Sequence, residues 1–203
     1  MDRLLLFLTL LLMACSSFAA CQSSTVFYTF VATANGTMER NLQCRQNDYV
    51  FSSHIFVNVL FYHVTYDEIS KGLFSKNKGF EAREYQVDDS REDKPANYKI
   101  VNGVTDWLNM EQTIRFCLQQ KIAIQSMRVL ADGEEKQYQF TVISPDDKLQ
   151  TPLGLLKTTI IEGVELGGDK VRFWFWKDNN YMMVRQKIWD NRDEIFDATI
   201  KYF

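Results

Sequence analysis

Imidazoles, thiols and carboxylates are the side chains that most often do chemistry, and this chain arranges them in no catalytic pattern. Its 203 residues hold two histidines, His54 and His63. Their odd separation puts them on opposite faces of a continuous strand, where they could cooperate only across a bulge. No Gly-x-Ser-x-Gly elbow, His-Glu-x-x-His or Cys-x-x-Cys spacing occurs, so the sequence supports neither nucleophilic hydrolysis nor a zinc site. Gly167-Gly168 lacks the Lys-Ser/Thr that completes a phosphate loop. Asp146 and Asp147 are adjacent but identify nothing, being two of 26 acids. The chain is therefore expected not to be an enzyme, and no cofactor or metal is expected.

The richest cluster is aromatic: Phe173, Trp174, Phe175, Trp176, Tyr181, Met182, Met183 and Trp189. In Val-Arg-Phe-Trp-Phe-Trp, bulky side chains occupy both faces of a strand. One face must pack on a core. The other meets the helix, a lumen or solvent. A lumen lined by large, adaptable side chains suits a small apolar ligand, which makes Trp174, Trp176, Tyr181, Met183 and Trp189 the candidate ligand-binding residues. An exposed patch would instead suit a protein partner, and burial of both faces would make the same residues plain core.

Cysteines occur at 15, 21, 44 and 117. Cys44 falls at an inward position of an alternating strand, Met38-x-Arg40-x-Leu42-x-Cys44, in which Arg40 is the exception on the apolar side. Cys117 falls on the apolar stripe of a helix. The two are the preferred disulfide pair, which leaves Cys21 free; two buried thiols are the alternative. Asn35-Gly36-Thr37 is an N-glycosylation acceptor, and Asn-Gly is also a strong type I′ hairpin signal, so Asn35 is expected at an exposed turn.

The elements that must position these groups are mostly strands. Thr25 to Thr33 is rich in β-branched and aromatic residues, and Tyr49 to Tyr66 is long enough for one bent strand or two short ones. Asp67 to Phe74 reads as one or two helical turns. Glu81 to Pro95 reads as an exposed charged loop with one edge strand around Tyr85. Trp107, Met110, Ile114, Cys117 and Leu118 recur at helical spacing, predicting one main helix over about 105–121 capped by Thr105. Glu111, Gln112 and Arg115 lie off that stripe. A meander follows, turning at Asp132-Gly133, Ser144 to Pro152, Gly167-Gly168-Asp169, Asp178 to Asn180 and Asn191 to Asp193. The expected fold class is α+β: a curved antiparallel β-sheet or partial barrel with the helix packed on it, in a single domain over residues 20–203. The Gly-x-Trp opening of lipocalin barrels is missing, since no Trp precedes Trp107.

The first residues, MDRLLLFLTLLLMACSSFAA, have the grammar of an export signal: a short basic start, an apolar run too short to span a bilayer comfortably, then small residues. Ser17 and Ala19 fit cleavage after Ala19, giving a signal peptide over residues 1–19 and a secreted, extracellular protein. The alternative ending resembles a bacterial lipoprotein box, Leu12-Met13-Ala14-Cys15 or the poorer Phe18-Ala19-Ala20-Cys21, and implies a lipid anchor in the cell envelope. A net charge of −3 with dispersed Lys and Arg excludes the basic stripe of a nucleic-acid binder. No second long apolar segment exists, so no membrane span is expected. The sequence thus points to an exported, monomeric, non-enzymatic binding protein for a small apolar ligand. Its rival is a secreted protein-interaction module, an inhibitor or effector, contacting an extracellular protein.

Overall fold

The computed structural model describes residues 21–32, 34–59 and 62–203; the expected signal peptide over residues 1–19, with Cys15, lies outside the described residues. Thirteen strands form one sheet: β1 (Ser24–Val31), β2 (Asn35–Arg45), β3 (Asp48–Val59), β4 (Tyr62–Ser75), β5 (Gly79–Asp89), β6 (Ala96–Lys99), β7 (Val104–Asp106), β8 (Met127–Ala131), β9 (Glu134–Thr151), β10 (Gly154–Glu165), β11 (Lys170–Trp176), β12 (Met182–Asp190) and β13 (Asp193–Tyr202). One α-helix among the described residues, α1 (Trp107–Gln120), lies between β7 and β8.

The strand order is β6-β5-β4-β3-β2-β1-β13-β12-β11-β10-β9-β8-β7. Successive strands are antiparallel neighbours, as short connections favour. The exception is β7, which pairs parallel with β8 because the chain crosses through α1. First and last strands pair at the middle of the sheet, and only residues 100–103 separate its two edges, β6 and β7. The sheet therefore curls until its ends approach each other. The helix packs on β3, β4, β5, β7, β8 and β12, strands from both halves of the sheet, and so fills the inside of the curl. The expected curved antiparallel sheet with one helix is what forms, with far more strand than helix.

Local sequence explains most of this. Asp132 (φ 51°) and Gly133 (φ 78°) form a two-residue hairpin loop between Ala131 and Glu134, as the positive-φ turn requires. Asn35-Gly36 does not turn. The hairpin loop lies between Val31 and Asn35, and Gly36 sits within β2 opposite Phe30 and Val57. A Cβ there would lie 2.3 Å from Phe30 Cζ and 2.4 Å from the Phe56 carbonyl oxygen, so glycine is needed for close approach rather than for turning. Asn35 is exposed.

Three segments differ from their sequence reading. Asp67–Phe74 is strand, not helix, and places Glu68 and Ser70 inside while Asp67, Ile69 and Lys71 face the other way. Most of the charged Glu81–Pro95 segment is β5, flanked by β4 and β6, with Tyr85 only 2% exposed. Ser144–Pro152 lies largely within β9. Its Ser-Pro-Asp-Asp is absorbed as a register shift against β10, where the Pro145 carbonyl accepts from Thr159 Oγ1 at 3.0 Å and Lys177 Nζ at 3.2 Å.

The helix is capped by Asp106, not Thr105. The Asp106 carboxylate accepts from the Asn109 N–H at 2.7 Å, while Thr105 Oγ1 accepts from the Asn109 side chain at 2.9 Å. Lys121 closes the helix in the left-handed region, its N–H reaching the Cys117 and Leu118 carbonyls.

The expected Cys44–Cys117 disulfide is corrected. Cys21 and Cys44 are bonded, with Cα atoms 5.7 Å apart, and Cys117 is a half-buried free thiol. The cause is register. Ser24 pairs with Leu42, so the chain just before β1 runs beside the end of β2, and Ser23 Oγ accepts the Cys44 N–H at 3.0 Å. Cys44 lies at the strand's end, where Cys21 packs beside it against the same core cluster. Closing this short loop contributes about 3 kcal/mol by the chain-entropy estimate.

Candidate functional site

The apolar core falls into two clusters. One joins β1, β2 and β8–β13 with the helix residues Met110 and Ile114, and the other joins β2–β5 with Leu108 and Phe116. Between the β2–β5 side and the β8–β13 side the packing is incomplete, and a cavity of about 440 Å³ opens between them. Met38, Ile55, Ile188, Phe196 and the rings of Tyr66, Tyr85, Trp107, Tyr138 and Trp189 supply its apolar wall. Ionisable groups reach it from five strands and from the β8–β9 and β10–β11 turns: Arg40, Glu68, Asp132, Lys136, Asp169, Lys170 and Asp190.

The polar floor is built by strand alternation. On β2, the pleat that buries Met38 and Leu42 also turns Arg40 inward, where it is 5% exposed. Its guanidinium pairs with Glu111 of the helix, donates to Gln186 Oε1 at 2.9 Å and lies 3.5 Å from the Met183 sulfur. It also stands over the Tyr28 ring, 5.9 Å from its centroid, and the Tyr28 hydroxyl donates to the Met183 carbonyl at 2.9 Å. Burial pushes the Glu111 carboxyl up, while Arg40 and Arg115 oppose the rise. This buried pair ties the helix to the inner face of the curled sheet, and breaking one partner would leave an uncompensated charge.

Glu68 projects from β4 and is 3% exposed. Its Oε1 accepts from the Tyr85 hydroxyl, and its other oxygen has no hydrogen-bond partner among the described residues. Burial lifts its carboxyl to about 7, despite the Tyr85 bond and the nearby Arg40 charge. Deeper along the same strand, Ser70 Oγ donates to Asp106 Oδ2 at 2.6 Å and lies 3.3 Å from the Tyr49 hydroxyl. Burial raises Asp106 to about 6 although these bonds and its helix-cap contacts pull it down.

At the mouth, Lys136 pairs with Asp169 at 3.2 Å. Lys170 lies 3.9 Å from Glu162, and its ammonium stands 4.4 Å from the centre of the Trp189 ring. Asp132 and Asp190 are exposed at the rim and make no ion pair among the described residues.

The five aromatic and Met candidates do not assemble. Trp189 alone lines the cavity. Met183 is fully buried beside Arg40. Trp174 lies on the strand face opposite Phe173 and Phe175, flanked by the guanidiniums of Arg172 at 5.9 Å and Arg185 at 5.2 Å and only 6% exposed. Trp176 meets Phe203 edge-on at 6.0 Å, and Tyr181 is half-buried in the turn after β11 with φ 54°. Both faces of Val-Arg-Phe-Trp-Phe-Trp are thus covered, one by core and one by arginines. His54 pairs with Asp67 and His63 with Asn58, on exposed positions away from the cavity.

Sequence reasoning missed Arg40, Glu68 and Gln186. Arg40 carried the one visible signal, a charge on the apolar side of β2. Glu68 was hidden by the helical reading of its segment.

The sequence profile of a family described as "Protein of unknown function (DUF3108)" matches residues 65–191, which span β4 to β12 and include the helix and most of the cavity wall. No curated protein matches the chain. Among solved structures, the chain is similar to a protein from Brucella abortus described as a beta-barrel-like protein of domain of unknown function DUF1849. The two share 7% identity and a TM-score of 0.48, over 89% of this chain and 96% of that one.

Proposed function

The chain belongs to the DUF3108 family of proteins of unknown function, and we propose that it is an exported, non-enzymatic binding protein that holds a small ligand inside its barrel. One observation carries this reading: a cavity of about 440 Å³ with aromatic walls and inward-facing polar groups, in a fold otherwise packed on both sides of α1. Ligand sites commonly have volumes of roughly 300–1,000 Å³, apolar walls and a few convergent polar groups. The ligand's apolar part lies against Trp107, Trp189 and Phe196 rather than against Trp174, Trp176 or Tyr181.

The leader over residues 1–19 addresses the protein outside the cytoplasm, and the Cys21–Cys44 bond fits an oxidising compartment. That bond occupies the Cys21 sulfur, so a lipid anchor, if attached, uses Cys15. Exposed Asn35 accepts a glycan where the host secretory route supplies one.

The test is titration with 1-aminoanthracene, whose emission rises in apolar surroundings. Saturable one-to-one binding is expected, and Ile188→Trp, which fills the cavity from β12, abolishes it while the fold is retained by circular dichroism. No rise in emission with the wild-type protein, or an equal rise with Ile188→Trp, contradicts the reading.

A further inference from the structure

The charges around the cavity do not balance. Three cationic side chains line it, and each already has an acid: Arg40 has Glu111, Lys136 has Asp169 and Lys170 has Glu162. Two of those acids, Glu111 and Glu162, stand outside the lining, and Glu162 is shared with Arg172, which binds it more closely than Lys170 does; none of these pairs uses the remaining carboxylates of the lining. Glu68, Asp132 and Asp190 are left, with no cationic partner among the described residues.

Glu68 is the informative member. It is 3% exposed, one oxygen is held by Tyr85, and the other has no partner although the side chain borders the void. A carboxylate held beside aromatic rings, with one oxygen open to the cavity, is a ready acceptor for a donor that enters it. Tyr66, Tyr85 and Trp107 surround the same space, and their ring faces attract a cation electrostatically. The cavity mouth already does this within the chain, since the Lys170 ammonium stands 4.4 Å from the centre of the Trp189 ring.

Resting on the reading of this cavity as a ligand site, we infer that its occupant is a small organic ammonium, a cationic nitrogen on an apolar body. The nitrogen is seated at Glu68, and the body runs past Trp107 toward the rim at Asp132. A metal ion fits less well. It would need several oxygen ligands from the protein, and no three His, Cys, Asp or Glu gather as a metal site among the described residues. A carboxylate ligand seated there would face Glu68, and the cation beside it, Arg40, is already held by Glu111 and Gln186.

The experiment uses three probes of matched shape and different charge: octylammonium, octanol and octanoate. Each competes with bound 1-aminoanthracene at pH 8, above the value of about 7 at which Glu68 ionises. Octylammonium is expected to bind at least about tenfold more tightly than either of the others, the size of one charge-assisted hydrogen bond. Glu68→Gln keeps an acceptor for Tyr85 and should weaken octylammonium about tenfold while leaving octanol unchanged. Asp132→Asn, at the exposed rim, should weaken it less. Octanol or octanoate binding as tightly as octylammonium overturns the inference and leaves the binding cavity standing. An unchanged order of affinities in a folded Glu68→Gln does the same. Failure of 1-aminoanthracene and all three probes to bind removes the cavity reading as well.

Discussion

Replacing Glu68 by Gln should stabilise the folded protein above neutral pH and do so progressively less as the pH falls. In the unfolded chain this carboxyl titrates near 4.5, and burial raises it to about 7 in the fold. Between those values the folded state binds the proton more tightly. The wild-type protein is therefore most stable below about 4.5 with respect to this group, and it loses stability as the pH rises to about 7. At 1.36 kcal/mol per pKa unit the full loss is about 3 kcal/mol, of which about 2 kcal/mol falls between pH 5 and pH 8. Gln does not titrate, yet its amide oxygen still accepts from Tyr85. Asp106 is also raised, to about 6, chiefly by its own burial, which both proteins share; its charge is a lesser cause of the Glu68 rise, so the two titrations are linked through that one contact. The assay is urea unfolding followed by tryptophan fluorescence at pH 5 and pH 8, for both proteins. Stability of Glu68→Gln relative to wild type should rise by about 2 kcal/mol between the two pH values. A difference independent of pH would refute the argument that this carboxyl is held in a desolvating site.

Arg40→Ala should cost about 3–5 kcal/mol, because Glu111 would remain buried without its partner, whereas the double variant Arg40→Met with Glu111→Leu should recover most of that loss in the same unfolding assay. Cys21→Ser should lower stability by about 3 kcal/mol under oxidising conditions. Alkylation of the denatured, unreduced wild-type protein should label Cys117 and spare Cys44, and labelling of Cys44 would refute the assigned pair. Gly36→Ala should destabilise by about 1–3 kcal/mol, since the new methyl group meets the Phe30 ring and the Phe56 carbonyl within the sheet; an unaltered melting temperature would contradict that packing.

The strands and the helix were legible wherever apolar periodicity was the dominant signal. Asp132-Gly133 and the Asn191-Arg192 loop turned where their residues demanded, and Trp107, Met110 and Ile114 marked the helix. Legibility failed where the interior is polar. A strand carrying Glu68 and Ser70 inward does not alternate as an amphipathic strand should, so Asp67–Phe74 mimicked helical turns. The same cause misassigned one helix face: Glu111 and Gln112 look solvent-facing by residue type, yet both are buried because Arg40 meets Glu111 inside the curl of the sheet. Long-range register was also invisible. Nothing local tells that Cys21 runs beside Cys44, or that Trp174 is covered by Arg172 and Arg185 rather than facing a lumen. The cavity was missed because it is defined by what fails to fill the space between two halves of the sheet, a property of the curled sheet as a whole rather than of any segment.

The most direct test of the central claim is a crystal structure of the protein grown with octylammonium. The account predicts ligand density inside the barrel, with the nitrogen within hydrogen-bonding distance of Glu68 and the alkyl chain against Trp107 and Trp189. Density on the outer face beside Trp174 and Trp176, or an unaltered cavity at saturating octylammonium, would contradict it.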